Sequence, residues 1–153
     1  MHHARMNTEN IATHTESTVL QFLETAAVLE RALDRALSNA RGISFSEYRL
    51  LRALAHAYAG GAPRIELASA VGLTASAVTR ALKPLEKLGY VSTEKGERDA
   101  RQSRAVITTA GRELLDDAQG VLQDNLRNLA LNRLSAQQIA EFRNRLDEFG
   151  RKT

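Results

Sequence analysis

The chain has 153 residues, 43% of them hydrophobic, which is enough for one domain with a real core or one domain with helical extensions. Because cysteine is absent, a disulfide framework and a thiolate metal site are excluded. Tryptophan is also absent, and abundant alanine and leucine favour a mainly α fold. No stretch approaches about 18 consecutive apolar residues and the first residues lack the apolar core that a secretory signal needs, so we expect a cytoplasmic protein without membrane contact.

The net charge of +3 is concentrated in the middle of the chain. Residues 1–60 carry six basic and six acidic side chains, and residues 106–153 carry seven of each. Residues 61–105 carry eight basic side chains against five acidic ones, so the whole excess lies there. A basic region between neutral flanks is typical of a surface that binds a polyanion.

The first third of the chain predicts two helices. Residues 1–15 are polar and aperiodic, and we expect them to be disordered. A long amphipathic helix should run from about Glu16 to Asn39, because apolar residues recur there at intervals of three and four. Ser44 and Glu47 have the spacing of a capping box, which predicts a second helix over 45–59. Its predicted buried residues are Leu51, Leu54, Ala55 and Tyr58.

A short third helix and a longer fourth helix should follow. Pro63 suits the start of a helix over RIELASAV, and Gly72 supplies the left-handed residue that often ends one. Thr74 is a good N-cap for the next helix, over 74–88. The core face of that helix consists of Val78, Ala81, Leu82, Leu85 and Leu88.

The other face of the fourth helix carries short hydroxyls and long cations near its start, and no acids. A helix, a tight turn with glycine and a second helix with such a face is the helix-turn-helix arrangement, whose second helix enters the DNA major groove. Arginine can contact guanine with two hydrogen bonds, and serine or threonine can contact a base or a phosphate. The alternative is an ordinary solvated face. The DNA-contacting residues predicted in this region are Arg64, Thr74, Ser76, Ala77, Thr79, Arg80 and Lys83.

A charged hairpin follows the fourth helix. Tyr90 and Val91 begin one strand, residues 105–107 form the return strand, and GERDARQSR lies between them. A charged turn often serves only solubility. Directly after a recognition helix, however, it is a wing over residues 95–104, whose arginines can reach the minor groove. The predicted wing contacts are Arg98, Asp99, Arg101 and Arg104, with Asp99 holding Arg101 in place.

Three segments resemble the MarR family of bacterial winged helix-turn-helix regulators: residues 66–91, 98–111 and 46–54. The wing segment is similar to the family's Asp-x-Arg signature, here Asp99 and Arg101, and Ile107 stands where leucine is commoner. The resemblance implies a fold over about residues 16–150. It also implies that Arg101 is the wing arginine and that Ser76, Thr79 and Arg80 read the groove.

The end of the chain predicts two more helices. One, capped by Thr108 or Thr109, should run to about Asn132, and the other should follow the Ser135 and Gln138 capping box. Their apolar residues exceed what one winged domain can cover. We therefore expect residues 16–43 and 109–153 to form the dimerisation region of a homodimer, with 44–108 as the DNA-binding domain, although the helices could instead close a monomeric core. The last helix should bury Ile139, Phe142, Leu146 and Phe149.

Other functions have less support in the sequence. The four histidines lack ligand spacing and no phosphate loop or nucleophile motif occurs, so we expect no enzyme, no metal and no cofactor. The resemblance implies release from DNA by a small phenolic or anionic effector, for which the candidate residues are Tyr48, Arg52 and His56. The alternative function is a winged-helix module that binds an acidic protein instead of DNA.

Overall fold

The computed structural model describes the backbone of residues 2–95 and 103–151, and the side chains of residues 11–95, 103–129 and 132–151. Most of these residues are helical, as expected from the composition. The helices are α1 (His2–Arg41), α2 (Phe45–His56), α3 (Arg64–Val71), α4 (Ala75–Lys87), α5 (Thr109–Arg127) and α6 (Ala136–Phe149). The strands are β1 (Gly61–Pro63), β2 (Val91–Glu94) and β3 (Arg104–Ile107), and short 3-10 turns cover Tyr58–Gly60 and Ala130–Arg133.

The predicted helix signals are confirmed by side-chain to backbone hydrogen bonds. Ser44 and Glu47 form the reciprocal capping box of α2, with distances of 3.0 and 2.8 Å between the bonded atoms. Ser135 and Gln138 form the same arrangement at the start of α6. Gly72 ends α3 with φ 65°, a left-handed conformation that glycine adopts without a steric penalty.

The small sheet is antiparallel and has the strand order β1-β3-β2. The hairpin of β2 and β3 was predicted, and in it Val91 pairs with Ile107. Strand β1 was not predicted, because Gly-Ala-Pro lacks the alternating apolar pattern of a strand. It forms because Gly61 pairs with Val106 and Ala62 pairs with Ala105, more than 40 positions away in the sequence.

The core lies where α2 meets the helix-turn-helix and the sheet. Leu50, Leu51 and Leu54 of α2 are fully buried, and so is Val78 of α4. Leu115 and Ala118 extend this core onto α5, and Leu37 extends it onto α1. The winged domain therefore packs directly against the two long helices that flank it.

Three predictions about the helices are wrong. Helix α1 begins at His2 and not at Glu16, because no glycine or proline interrupts residues 1–15 and a lack of apolar periodicity predicts poor packing rather than loss of helix. Tyr58 is 90% exposed because α2 ends at His56, before the expected position. Leu88 is 65% exposed because it lies just beyond the last turn of α4.

Helix α6 also differs from its prediction within one chain. None of its residues is buried, and Phe142, Leu146 and Phe149 are at least one third exposed. The ring of Phe149 lies 5.3 Å from that of Phe22 on α1, between centroids. The apolar face of α6 is therefore formed as predicted, but its own chain covers little of it.

Within the described part of the chain, no single helix has the length and apolar character needed to span a membrane. The pair α3 and α4 reaches that length and character only when counted together, and the two helices meet at 105°.

Candidate nucleic-acid interface

The local sequence of α4 fixes which of its faces is exposed. The Thr74 side chain accepts a hydrogen bond from the Ala77 backbone N–H at 3.2 Å, which caps the helix start. Val78, Leu82 and Leu85 lie one helical turn apart and are buried. Because that face is committed to the core, the predicted groove-reading residues must lie on the solvent side.

The structure brings most of the predicted residues of α4 together on one exposed face. Ser76, Thr79, Arg80 and Lys83 are exposed, and Ala77 is half-buried. Thr79 Oγ1 donates to the Ala75 carbonyl at 3.0 Å, so its hydroxyl is already used within the helix. Arg80 and Lys83 make no ion pair or hydrogen bond with any described residue, so their charges face solvent uncompensated.

The angle between α3 and α4 is that of a helix-turn-helix. The two helices meet at 105°, within the 90–120° range typical of the motif. Three residues, Gly72 to Thr74, connect them. No acidic residue occurs in the first turn of α4, and its first carboxylate is Glu86, near the other end. The first half of α4 is therefore a positive, hydroxyl-bearing surface on a rigid element.

Arg64 occupies a different environment from the one predicted. Its Nη2 atom lies 2.7 Å from Glu86 Oε1 and 3.1 Å from Thr93 Oγ1, and its side chain is only 23% exposed. Glu86 and Thr93 were missed by the sequence analysis, since their sequence separations from Arg64 give no local signal. Arg64 is held within the protein by these contacts rather than extended toward solvent.

The placement of Arg104 corrects another prediction. It is the first residue of β3, and its Nη2 atom donates to the carbonyl oxygens of Gly61 and Tyr58 at 2.6 and 3.1 Å. These bonds join β3 to the turn before β1, so Arg104 supports the sheet instead of standing at the tip of the hairpin. The prediction failed because β1, which places those carbonyls there, was not foreseen. The predicted wing residues Arg98, Asp99 and Arg101 lie outside the described residues.

The three candidate effector-binding residues line one groove of about 750 Å³ between α2, α5 and α1. Tyr48 is almost fully buried; its burial raises the pKa of the phenol above the usual value of 10.0, while the charge of Arg52 acts in the opposite direction. His56 Nδ1 lies 2.7 Å from the Arg52 carbonyl oxygen. Phe45 and Arg49, which were not predicted, line the same groove.

Arg49 connects this groove to the helix-turn-helix. Its Nη2 atom donates to the Val71 carbonyl oxygen at 2.6 Å, at the last residue of α3. Its guanidinium carbon lies 5.9 Å from the centroid of the Phe45 ring, within range of a cation–π interaction. Among the described residues, no group of three potential ligands from His, Cys, Asp and Glu could hold a metal ion.

The arrangement defines a winged helix-turn-helix protein in which the basic helix of the motif is exposed and long helices flank the winged domain. Residues 41–102 match the sequence model of the MarR family. The whole fold is also similar to those of solved MarR-family transcriptional regulators.

Three solved structures illustrate the similarity. Sco3205 of Streptomyces coelicolor, a MarR family transcriptional regulator in complex with DNA, is 28% identical, with a TM-score of 0.77 over 90% of this chain and 89% of that one. CouR of Rhodococcus jostii RHA1, bound to p-coumaroyl-CoA, is 22% identical, with a TM-score of 0.75 over 91% and 95%. The transcriptional regulator BldR of Sulfolobus solfataricus is 24% identical, with a TM-score of 0.72 over 86% and 95%. No curated protein sequence matches the chain significantly.

Proposed function

We propose that this protein is a MarR-type transcriptional regulator that binds a pseudo-palindromic duplex DNA site as a homodimer, with α4 of each chain in the major groove. The observation that carries the proposal is the exposed face of α4, where Arg80 and Lys83 are uncompensated on a capped, well-packed helix. Contacts from a rigid helix are positioned without further ordering, which favours affinity. The structure of Sco3205, which is similar to this chain over 90% of its length, is that of a complex with DNA.

The residues of α4 have different roles in this proposal. Arg80 reads a base edge, since a bidentate arginine contact distinguishes guanine from other bases. Lys83 contacts the phosphate backbone, which contributes affinity without sequence information. Ser76 and Thr79, with the small Ala77 between them, let the helix approach the bases closely. Thr74 caps the helix and lies beside the phosphates at its start.

The hairpin of β2 and β3 is the wing of the proposed complex. Arg98 and Arg101, with Asp99 orienting Arg101, enter the minor groove beside the half-site, where A·T-rich sequence concentrates negative potential. Arg101→Ala is then expected to weaken binding more when the flank is A·T-rich than when it is G·C-rich. Arg64 and Arg104 support the wing from within the domain.

Dimer formation is proposed from the apolar surface that one chain leaves open. The exposed aromatic and aliphatic residues of α6 continue into a cleft of about 550 Å³ between α5 and α6, which includes Leu126 and Ile139. Leu20 and Leu23 of α1 are also more than half exposed. A second copy of the chain would bury these faces, and its two-fold symmetry would set two half-sites about 34 Å apart.

The groove lined by Tyr48, Arg52 and His56 is the proposed effector site. It combines an aromatic ring with cationic side chains, a chemistry that suits a small phenolic or anionic compound. Since Arg49 lines the groove and binds the end of α3, an anion that attracts Arg49 would act directly on the turn before α4. CouR, whose structure contains p-coumaroyl-CoA, has the same fold.

Thermal unfolding with millimolar p-hydroxybenzoate tests this site. We expect the phenolic acid to raise Tm and release DNA from the wild type, and to do neither in Arg52→Gln. Arg31→Gln, an exposed arginine outside the groove, should respond as the wild type does. Equal responses of Arg52→Gln and the wild type would remove the groove from the proposal.

We further infer that the protein acts in the cytoplasm without catalysis or a cofactor, because sequence-specific binding and its release require neither.

A duplex selected from random DNA provides the main test of DNA binding. Arg80→Ala should lose about 1–3 kcal/mol of discrimination at one base pair, whereas Lys83→Ala should weaken all sequences alike and lower the salt slope by about one. Lys87→Ala, in the last turn of α4, is the matched control and should bind normally. Binding without steep salt dependence would instead favour an acidic protein partner.

A further inference from the structure

Three side chains from three different elements meet at the base of the wing. Arg64 is the first residue of α3, Glu86 lies in the last turn of α4, and Thr93 lies in β2. Arg64 Nη2 donates to Glu86 Oε1 at 2.7 Å and to Thr93 Oγ1 at 3.1 Å, and Thr93 Oγ1 donates to the same Glu86 oxygen at 2.7 Å. These residues are named the wing-root cluster below.

The cluster reaches across the whole sheet. Thr93 pairs with Ala105 in the ladder, and Ala105 pairs with Ala62 of β1 on its other side. Arg64 directly follows β1, so its side chain joins the edge strand β1 to the opposite edge strand β2. Because Glu86 belongs to α4, the same contacts also attach the sheet to the helix that carries Arg80 and Lys83.

The rest of the structure explains why β2 needs this attachment. Its start is held by backbone bonds, since Tyr90 N–H donates to the Leu85 carbonyl and Thr108 N–H donates to the Tyr90 carbonyl. Beyond that point β2 is an edge strand, and among the described strands it pairs only with β3. Within the described residues, the wing-root cluster is the side-chain connection between the distal half of β2 and α4.

We propose that the wing-root cluster fixes the angle between the wing and α4, so that both are presented to DNA together, and that Glu86 and Thr93 are positioning residues for binding. The inference rests on the proposed function. The proposed role also explains why the DNA-binding helix carries a carboxylate. Arg64 neutralises the charge of Glu86, and the Glu86 carboxylate accepts hydrogen bonds from both Arg64 and Thr93. A wing held in advance avoids the cost of ordering it on binding.

Substitutions at Thr93 separate positioning from stability. Thr93→Val keeps a β-branched side chain at an exposed strand position but removes the hydroxyl, and Thr93→Ser keeps the hydroxyl. We expect Thr93→Val to lower DNA affinity about tenfold through lost preorganisation, with loss of footprint protection in the minor groove beside each half-site. Major-groove protection by α4 and the Tm of the free protein should be nearly unchanged, because exposed polar contacts contribute little to stability.

The rescue and the control complete the experiment. Thr93→Ser should bind within about twofold of the wild type, and Glu86→Gln, which keeps an acceptor oxygen but loses the charge, should lie between the two Thr93 variants. Thr109→Val, at an exposed threonine in the first turn of α5, is the matched control and should behave as the wild type. Equal weakening by Thr93→Val and Thr93→Ser, or an unchanged footprint for Thr93→Val, would overturn the proposal.

Hydrogen exchange of the DNA-free protein tests the role of the wing-root cluster without relying on DNA binding. The β2 segment of Thr93→Val should exchange faster than that of the wild type, while α2 exchanges at the same rate in both. Unchanged exchange in β2 overturns the wing-root inference alone. A wild type that protects no duplex overturns the proposed function, and the exchange experiment still decides whether the cluster holds the strand.

Discussion

Replacing Gly111 by alanine should destabilise the protein strongly, although alanine is the better helix former. Gly111 is buried in the first turn of α5, where its N–H donates to Thr108 Oγ1 at 3.1 Å. A Cβ atom at this position would clash with the Tyr90 carbonyl oxygen and would lie 2.9 Å from Ile107 Cγ1. The Tyr90 backbone is held on both sides, since its N–H donates to Leu85 and its carbonyl accepts from Thr108.

The magnitude follows from these contacts. Overpacking typically costs about 1–3 kcal/mol, and a fixed backbone carbonyl places this case at the upper end. Movement of Tyr90 would also weaken its hydrogen bond to Thr108, at about 1 kcal/mol. The higher helix propensity of alanine offsets at most about 1 kcal/mol of this destabilisation. We expect a net loss of about 2–3 kcal/mol, or roughly 4–12 °C in Tm for a chain of this size.

Gly120→Ala is the matched control, because it makes the same substitution in the same helix. Gly120 is exposed, and a Cβ atom there would meet no atom within 4 Å. We expect it to gain about 0.5–1 kcal/mol from helix propensity. Tm should be measured by calorimetry at equal chain concentration, because the proposed dimer would make it concentration-dependent. If both variants shift Tm in the same direction, the packing argument at Gly111 is wrong.

Three further predictions concern single positions. Ala59 has φ 54°, a left-handed conformation that costs an L residue roughly 1 kcal/mol, so Ala59→Gly should raise the unfolding free energy in a urea titration rather than lower it. Ser44→Ala removes the capping box of α2 and should lower that free energy by about 1 kcal/mol, which circular dichroism melts would detect. Burial raises the pKa of Tyr48 above its usual value of 10.0, so the folded state favours the neutral phenol; the stability this contributes is retained below pH 10 and falls as pH rises further. Between about pH 9.5 and 11, a range of about one unit around that usual value, the Tm of Tyr48→Phe should therefore fall less than the Tm of the wild type. If the folded state favoured an ionised Tyr48, the variant would give the opposite result.

The elements predicted correctly are those whose signals are local in sequence. Ser44, Thr74 and Ser135 bond to backbone groups three residues away, and Gly72 acts through its own φ angle. Such interactions depend on a few neighbouring residues, so the sequence reveals them directly. The exposed basic face of α4 follows for the same reason, because the buried spacing of Val78 and its neighbours determines the opposite side.

The features that sequence reasoning missed depend on contacts between distant residues. Strand β1 exists because β3 offers it a pairing edge, and Arg104 turns inward because the carbonyls of Tyr58 and Gly61 lie beside it. Arg64 is separated by 22 residues from Glu86, its partner in the ion pair. Composition and periodicity place these arginines correctly in the basic region, but only the fold decides which charges remain available to a ligand.

In the proposed complex, two chains present their α4 helices to one duplex. Sedimentation velocity of the protein with a duplex selected from random DNA tests it most directly. We expect a complex of two chains and one duplex that dissociates as salt is raised and fails to form at the same concentrations with Arg80→Ala. A protein that remains a single chain and leaves the selected duplex unbound at low salt would contradict it.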